Sequence, residues 1–152
     1  MARAAGAPVV GEETGFERGV ARLGCAVLDV DELEPALRLV CEQALVLLGA
    51  EAVSIWLLDG DALECRMAVP ESDDTRVQRL GVASGTAAVA VAARERRALV
   101  VANDPWCTLV VPVRGRGGNL LGVVSCLAAS SPPSLTLWRD RGEVVAAVCA
   151  GI

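Results

Sequence analysis

Trp106–Cys126, WCTLVVPVRGRGGNLLGVVSC, reads as two apolar runs folded back on each other across a glycine-rich turn. Leu109–Val113 and Leu120–Val124 are valine and leucine apart from Pro112 and Gly122, and Gly115–Gly118 supply the reversal. Nothing in the stretch is an evident catalytic group, so the hairpin is read as central sheet. Pro112 cannot donate to a ladder and is expected to face a gap or an edge. Gly122 is expected to let a neighbouring element come close.

Working upstream, "ALVVA" is a strand that enters this hairpin through the turn Asn103-Asp104-Pro105. Ser84 is placed to cap a helix running through "GTAAVAVAARERR", whose closing arginines suit the negative end of the helix dipole. "AVSIWLLDGDALECRMAV" is a second hairpin, joined at Asp59-Gly60, with Val53, Ile55 and Leu57 alternating against Ser54, Trp56 and Leu58. On its return strand Leu63, Cys65, Met67 and Val69 are expected to share one face. "PESDDTR" is a polar loop, followed by a short extended piece around Val77–Leu80. Leu33, Leu37, Val40, Cys41, Ala44 and Leu48 define one face of a helix, with Pro35 in its first turn and Gly49 at its end.

At the two ends, Thr14 and Glu17 have the spacing of a capping box ahead of a helical stripe of Phe16, Val20, Leu23 and Val27. "SSPPS" breaks the chain before a last helix carrying Trp138, Val145, Val148, Cys149 and Ile152. Two hairpins exclude a purely parallel sheet. The fold class is therefore α+β, a central mixed or antiparallel sheet of about five or six strands with helices on both faces. Helices near 30–48 and 135–152 are expected on one face and the helix near 85–96 on the other. The chain divides into a mobile tail over residues 1–13, a leading helix over 14–28 and one domain over 29–152.

With 152 residues the chain has the length of one domain. Fourteen basic and 19 acidic residues leave a net charge of −5, which argues against nucleic acid as a partner. No apolar run approaches the roughly 20 residues of a membrane span, and "MARAAGAPVVGEETG" has no secretion signal, so the protein is placed in the cytoplasm and off the membrane. The six cysteines lie in apolar runs without a CxxC pair and are read as reduced core residues, not as a metal site. Histidine is absent, which excludes mechanisms that need an imidazole base or ligand.

The ordered set "LLGAEAVSIWLLDGDALECRMAV", "SGTAAVAVAARERRALVVAND" and "LVVPVRGRGGNLLGVVSCLA", followed by a closing helix, resembles the GAF domain over roughly Asp29–Ile152. Its most specific pieces are Val111-Pro112-Val113 and Leu121-Gly122-Val123 around the glycine turn. The resemblance implies a sensory or regulatory module of a bacterial signalling protein, feeding a downstream signalling domain or protein. Bilin-binding and haem-binding members use histidine, and none exists here. The cyclic-GMP-binding signature Asn-Lys-x-Phe-Asp-Glu is reduced to Asn103-Asp104, which reads more simply as a turn. No cofactor is therefore expected.

One enzymatic branch, the free methionine-(R)-sulfoxide reductases, shares Gly85-Thr86-Ala87-Ala88, but Ser84 stands where that branch places a cysteine, and only Cys107 lies near. That thiol chemistry is the alternative to a non-catalytic module; a degenerate assembly surface is a third reading. The segment Asn103–Thr108 is shorter than the pocket-closing segment of many ligand-binding members, so any ligand is expected to be small. Candidate pocket residues are Trp56, Met67, Thr86, Asn103, Asp104, Trp106 and Thr108, weighed against tryptophans that merely fill the core. The cluster Arg94, Arg96 and Arg97 could hold an anion, but with Glu95 among them it reads as a solvated helix end. A homodimer is expected through Phe16, Val20, Leu23, Val27, Trp138, Val145, Val148 and Ile152, weighed against packing of the same stripes inside one chain.

Overall fold

The computed structural model describes residues 10–70, 79–83, 85–103, 105–129, 132 and 134–152. The polar loop expected from Pro70, the capping Ser84, the turn residue Asp104 and residues 1–9 of the expected tail fall wholly or mainly outside them. In chain order the described elements are α1 Val10–Leu28, α2 Leu33–Leu48, β1 Ala52–Asp59, β2 Ala62–Val69, β3 Arg79–Gly81, α3 Ala88–Glu95, β4 Leu99–Asn103, β5 Trp106–Arg114, β6 Leu120–Ala128 and α4 Leu135–Ala150. The strands form one sheet in the order β3-β2-β1-β6-β5-β4, and every neighbouring pair is antiparallel. This is the α+β architecture read from the two hairpins.

Helix α2 follows its pattern closely. Ala36, Leu37, Val40, Cys41, Ala44 and Leu48 are buried, Pro35 sits in the first turn where its missing N–H costs nothing, and Gly49 closes the helix in the left-handed region. Helix α1 differs: it is already under way at Val10, so a cap at Thr14 is not what starts it. Helix α4 begins at a working cap, the Ser134 hydroxyl accepting from the Leu137 amide at 3.1 Å.

The β1–β2 hairpin turns one residue later than Asp59-Gly60 suggests. Asp59 pairs with Ala62, leaving Gly60-Asp61 as the two-residue loop, with Gly60 at φ 65. A bulge then overturns the single-face reading of β2. Ile55 pairs with Met67 but Trp56 pairs with Cys65, so Arg66 is an extra residue. Because side chains alternate with period two, that insertion sends Met67 to one face of the sheet and Leu63 and Cys65 to the other.

Both faces are buried. On one, α2 and α4 cover Val53, Ile55, Leu109, Val111, Val124 and Cys126, and α1 packs on the outside of those two helices. On the other, α3 lays Val89, Ala92 and Ala93 over Trp56, Val110 and Val123. Strand β4 pairs with β5 only as far as Leu99–Val110, so Pro112 lies where β5 has a strand partner on the β6 side alone. Gly122 meets its expectation directly, since a Cβ there would run into the Trp56 carbonyl of β1. No helix among the described residues is long and apolar enough to cross a membrane.

These contacts predict opposite outcomes for two glycines. Gly122→Ala must push β6 off β1 and should cost about 3 kcal/mol, read as a lower urea midpoint at unchanged m-value. Gly24 lies inside α1 with open space where its Cβ would stand. Gly24→Ala should therefore raise stability by up to about 1 kcal/mol.

Candidate functional site

The residues proposed for a pocket on the α3 side separate into groups. Trp56 is a core residue, 4% exposed, with its indole N–H donating to the Ser54 hydroxyl at 3.0 Å. Met67 lies on the opposite face, among the side chains under α2, because of the bulge at Arg66. Thr86 is exposed ahead of α3. Trp106, 43% exposed, faces Asn103 across the β4–β5 hairpin, and half-buried Thr108 lies two residues on.

The register sets these groups apart. Trp56 aligns through Val123 with Pro112, whereas Thr108 aligns through Leu127 with Ala52. Four residues along a strand and two strands across place Trp56 and Thr108 roughly 13 Å by roughly 10 Å apart. Asn103, Trp106 and Thr108 thus share the hairpin tip, Trp56 belongs to the interior, and Asp104 lies outside the described residues.

The arginine cluster also splits. Arg96 closes α3 at φ 56, in the left-handed region, and this reversal sends its neighbours in different directions. The Arg94 guanidinium turns back and donates through one nitrogen to the carbonyls of Val82, Ala83 and Gly85, at 2.8, 3.3 and 3.1 Å. It thereby holds the chain between β3 and α3 in place. Arg97 donates through Nε to Glu95 at 2.7 Å and lines a cleft beside β5 with Arg114 and Glu143. Sequence reading missed both roles, because the carbonyls and the cleft come from residues distant along the chain.

The stripes assigned to a dimer are half used inside the chain. Leu23, Val27, Trp138 and Val145 are buried, and the Trp138 indole N–H donates to the Leu48 carbonyl at 2.9 Å, tying α4 to the end of α2. Leu23 and Val27 are covered because α1 packs on α2 and α4 instead of standing clear of them, and Trp138 and Val145 because α4 packs on α2 and β5. Phe16, Val20 and Val148 are half-buried and Ile152 is exposed. Between α1 and α4 runs an open groove of about 470 Å³ lined by Phe16, Val20, Ala21, Leu137 and Val144. The Arg141 guanidinium lies 4.7 Å from the centre of the Phe16 ring at its edge.

Five of the six cysteines are buried and Cys25 is exposed. Burial raises all five thiols above the ordinary value of 9.0, Cys149 to about 11, Cys126 to about 12 and Cys41 further still, with Cys65 and Cys107 shifted the same way. Cys107, the one thiol within reach of the reductase reading, is fully buried on the face opposite α3, and Gly85–Ala88 lies on the α3 side. A nucleophilic cysteine needs the reverse, an accessible thiolate at depressed pKa. Among the described residues no three His, Cys, Asp or Glu side chains are grouped to hold a metal ion.

The family model of the GAF domain matches residues 32–150. The GAF domain of a phosphoenolpyruvate-protein phosphotransferase from Acinetobacter superposes with a TM-score of 0.78 at 15% identity, covering 90% of this chain and 91% of that one. The nlh2 GAF domain of A. aeolicus in an inactive state gives 0.78 at 14% identity, over 92% and 96% of the two chains. The reduced form of fRMsr from Staphylococcus aureus gives 0.68 at 15% identity, over 90% and 93%. At these identities the likeness speaks for the fold. No curated protein sequence matches the chain.

The thiols can be read in solution without interference, because the chain contains no lysine, tyrosine or histidine and all its basic residues are arginine. Between about pH 8 and 12 the side chain that titrates is cysteine. Raised folded-state values mean that the unfolded chain releases thiol protons first. Stability should be full below pH 9 and fall as pH climbs through the window toward about 12, by up to about 1.4 kcal/mol per pH unit for each thiol. Urea midpoints from pH 7 to 11 test this; a flat profile contradicts it. In native protein one thiol, Cys25, should react quickly with a disulfide reagent and the other five only after unfolding.

Proposed function

The chain belongs to the GAF domain family, and on that footing we propose that it is a non-catalytic regulatory module of a bacterial signalling protein, passing on its state by self-association through α1 and α4. The observation that carries this reading is the α1–α4 groove. Leu137 and Val144 are 38% and 40% exposed and stand seven residues apart, on one line of α4. They face Val20 and Ala21 of α1 across the groove, and no element of the described chain fills it.

Its occupant is a second copy of the same chain. The groove carries Glu17 and Asp140 beside Arg141, a mixed-sign lining that a copy related by a twofold axis can satisfy with its own opposite charges. The surface differs from the full set of eight expected from sequence: Phe16, Val20 and Val148 remain, joined by Ala21, Leu137 and Val144. A downstream signalling domain or protein reads the paired helices. A small ligand sits on the α3 side near Asn103, Trp106 and Thr108, and the module works in the cytoplasm, where buried thiols stay reduced.

The fRMsr neighbour keeps a thiol-dependent reductase in view as the second reading. Against it stand the burial and raised pKa of Cys107 and its place on the helical face.

Light scattering over a concentration series is expected to show a dimer of the 15.7 kDa chain. Leu137→Glu or Val144→Glu, at partly exposed positions that leave the core intact, should weaken it at least tenfold. A monomer at every concentration, or a dimer indifferent to both changes, contradicts the self-association. Turnover of free methionine-(R)-sulfoxide with a thiol reductant, lost in Cys107→Ser, contradicts the non-catalytic reading.

A further inference from the structure

Where β4 parts from β5, the sheet leaves a cleft of about 360 Å³ against α4. Its floor is apolar and firm: Pro112 and Ala146 are buried and Ala98 is half-buried. Its charged rim comes from three separate elements, Arg97 after α3, Arg114 at the end of β5 and Glu143 on α4. β4 pairs no further than Leu99–Val110, so β5 from Val111 onward presents an open edge to the cleft.

Arg114, the last residue of β5, stands at the rim of the cleft, where the β5–β6 register shifts and leaves Leu121 of β6 as an extra residue. Among the described residues Arg114 and Glu143 have no ion-pair partner, and they do not pair with each other across the opening. Arg97 is engaged by Glu95 through Nε, an edge that is not its terminal amino pair.

We propose that this cleft is a binding site for a small zwitterion, an α-amino acid with a short apolar side chain. The carboxylate lies between Arg97 and Arg114, where guanidinium groups offer paired donors matched to its two oxygens. The ammonium group faces Glu143. The side chain rests on Ala98, Pro112 and Ala146. At about 360 Å³ the cleft has room for a ligand of this size. Glu143 also sets the charge class, because it repels phosphate or a dicarboxylate while completing a zwitterion. The site lies at the sheet edge beside α4, away from both the α1–α4 groove and the β4–β5 tip, and it stands whether or not the chain dimerises.

The test is a ¹⁵N–¹H NMR titration of the full chain with L-valine, and in parallel with isovalerate, which lacks the ammonium group, isobutylamine, which lacks the carboxylate, and inorganic phosphate. Saturable shifts with L-valine are expected at the amides of Ala98, Val111, Val113 and Ala146, with affinity at least tenfold above that for isovalerate, isobutylamine or phosphate. Arg114→Gln should weaken L-valine at least tenfold. Glu143→Gln should weaken L-valine while leaving isovalerate unchanged or tighter, a split that general damage to the cleft would not produce. Both positions are exposed, so the variants keep the fold, checked by their unchanged spectra elsewhere. The proposal is overturned by an absence of saturable shifts at the cleft with glycine, L-alanine and L-valine, or by isovalerate or phosphate binding as tightly as L-valine. Parallel losses for both ligands in Glu143→Gln overturn it as well.

Discussion

Leu109, Val111, Val124 and Cys126 project to one side of the β5–β6 ladder, Val110 and Val123 to the other, and all six are 2% exposed or less. A hairpin with two dry faces cannot lie at a surface, so the rest of the chain has to supply a cover on each side. The three longer helices take one side and α3 the other. The alanines of α3 let it settle on β5 and β6 over Val110 and Val123, while Gly142 of α4 lets that helix rest on Leu109 and Val111, where a Cβ would meet their side chains. The close fit of β6 against β1 at Gly122 keeps the two hairpins in one sheet.

That arrangement decides which surfaces remain for function. Trp138 fills the junction of α2 and α4 and satisfies the Leu48 carbonyl, one of the carbonyls that a helix end leaves without an internal partner. With α4 fixed there, α1 can bury Leu23 and Val27 against its own domain, and the apolar surface that is left narrows to the α1–α4 groove. The opposite sheet edge follows the same logic: β4 is five residues long and β5 nine, so the longer strand outruns its partner and opens the charged cleft. Both functional proposals are consequences of how the sheet is covered.

Features that depend on neighbours in sequence were legible beforehand. The burial stripe and the Gly49 stop of α2, the two hairpins, the close approach at Gly122 and the division of helices between faces all follow from local patterns and the period of each element. The misread features need a count across strands or an approach between distant helices. One inserted residue, Arg66, carried Met67 to the wrong face of the expected pocket. Alignment through β6 separated Trp56 from Thr108, the packing of α1 on its neighbouring helices buried Leu23 and Val27, and the packing of α4 on α2 and β5 buried Trp138 and Val145. The cleft drew Arg97, Arg114 and Glu143 from three elements, and no spacing between them in the sequence could signal it.

For the proposed pairing of two copies of this chain through α1 and α4, the protein carries a native probe. Cys25 lies on α1 and is the exposed thiol, so a spin label attaches there without substitution. Pulsed electron–electron dipolar spectroscopy on the singly labelled protein, at concentrations where light scattering reports its mass, reads the distance between the two α1 helices. Paired α1 helices should give a narrow intermolecular distance distribution that collapses to featureless background in Val144→Glu. A background decay in the unmodified protein, or a narrow distribution that survives that substitution unchanged, would place the contact elsewhere or remove it.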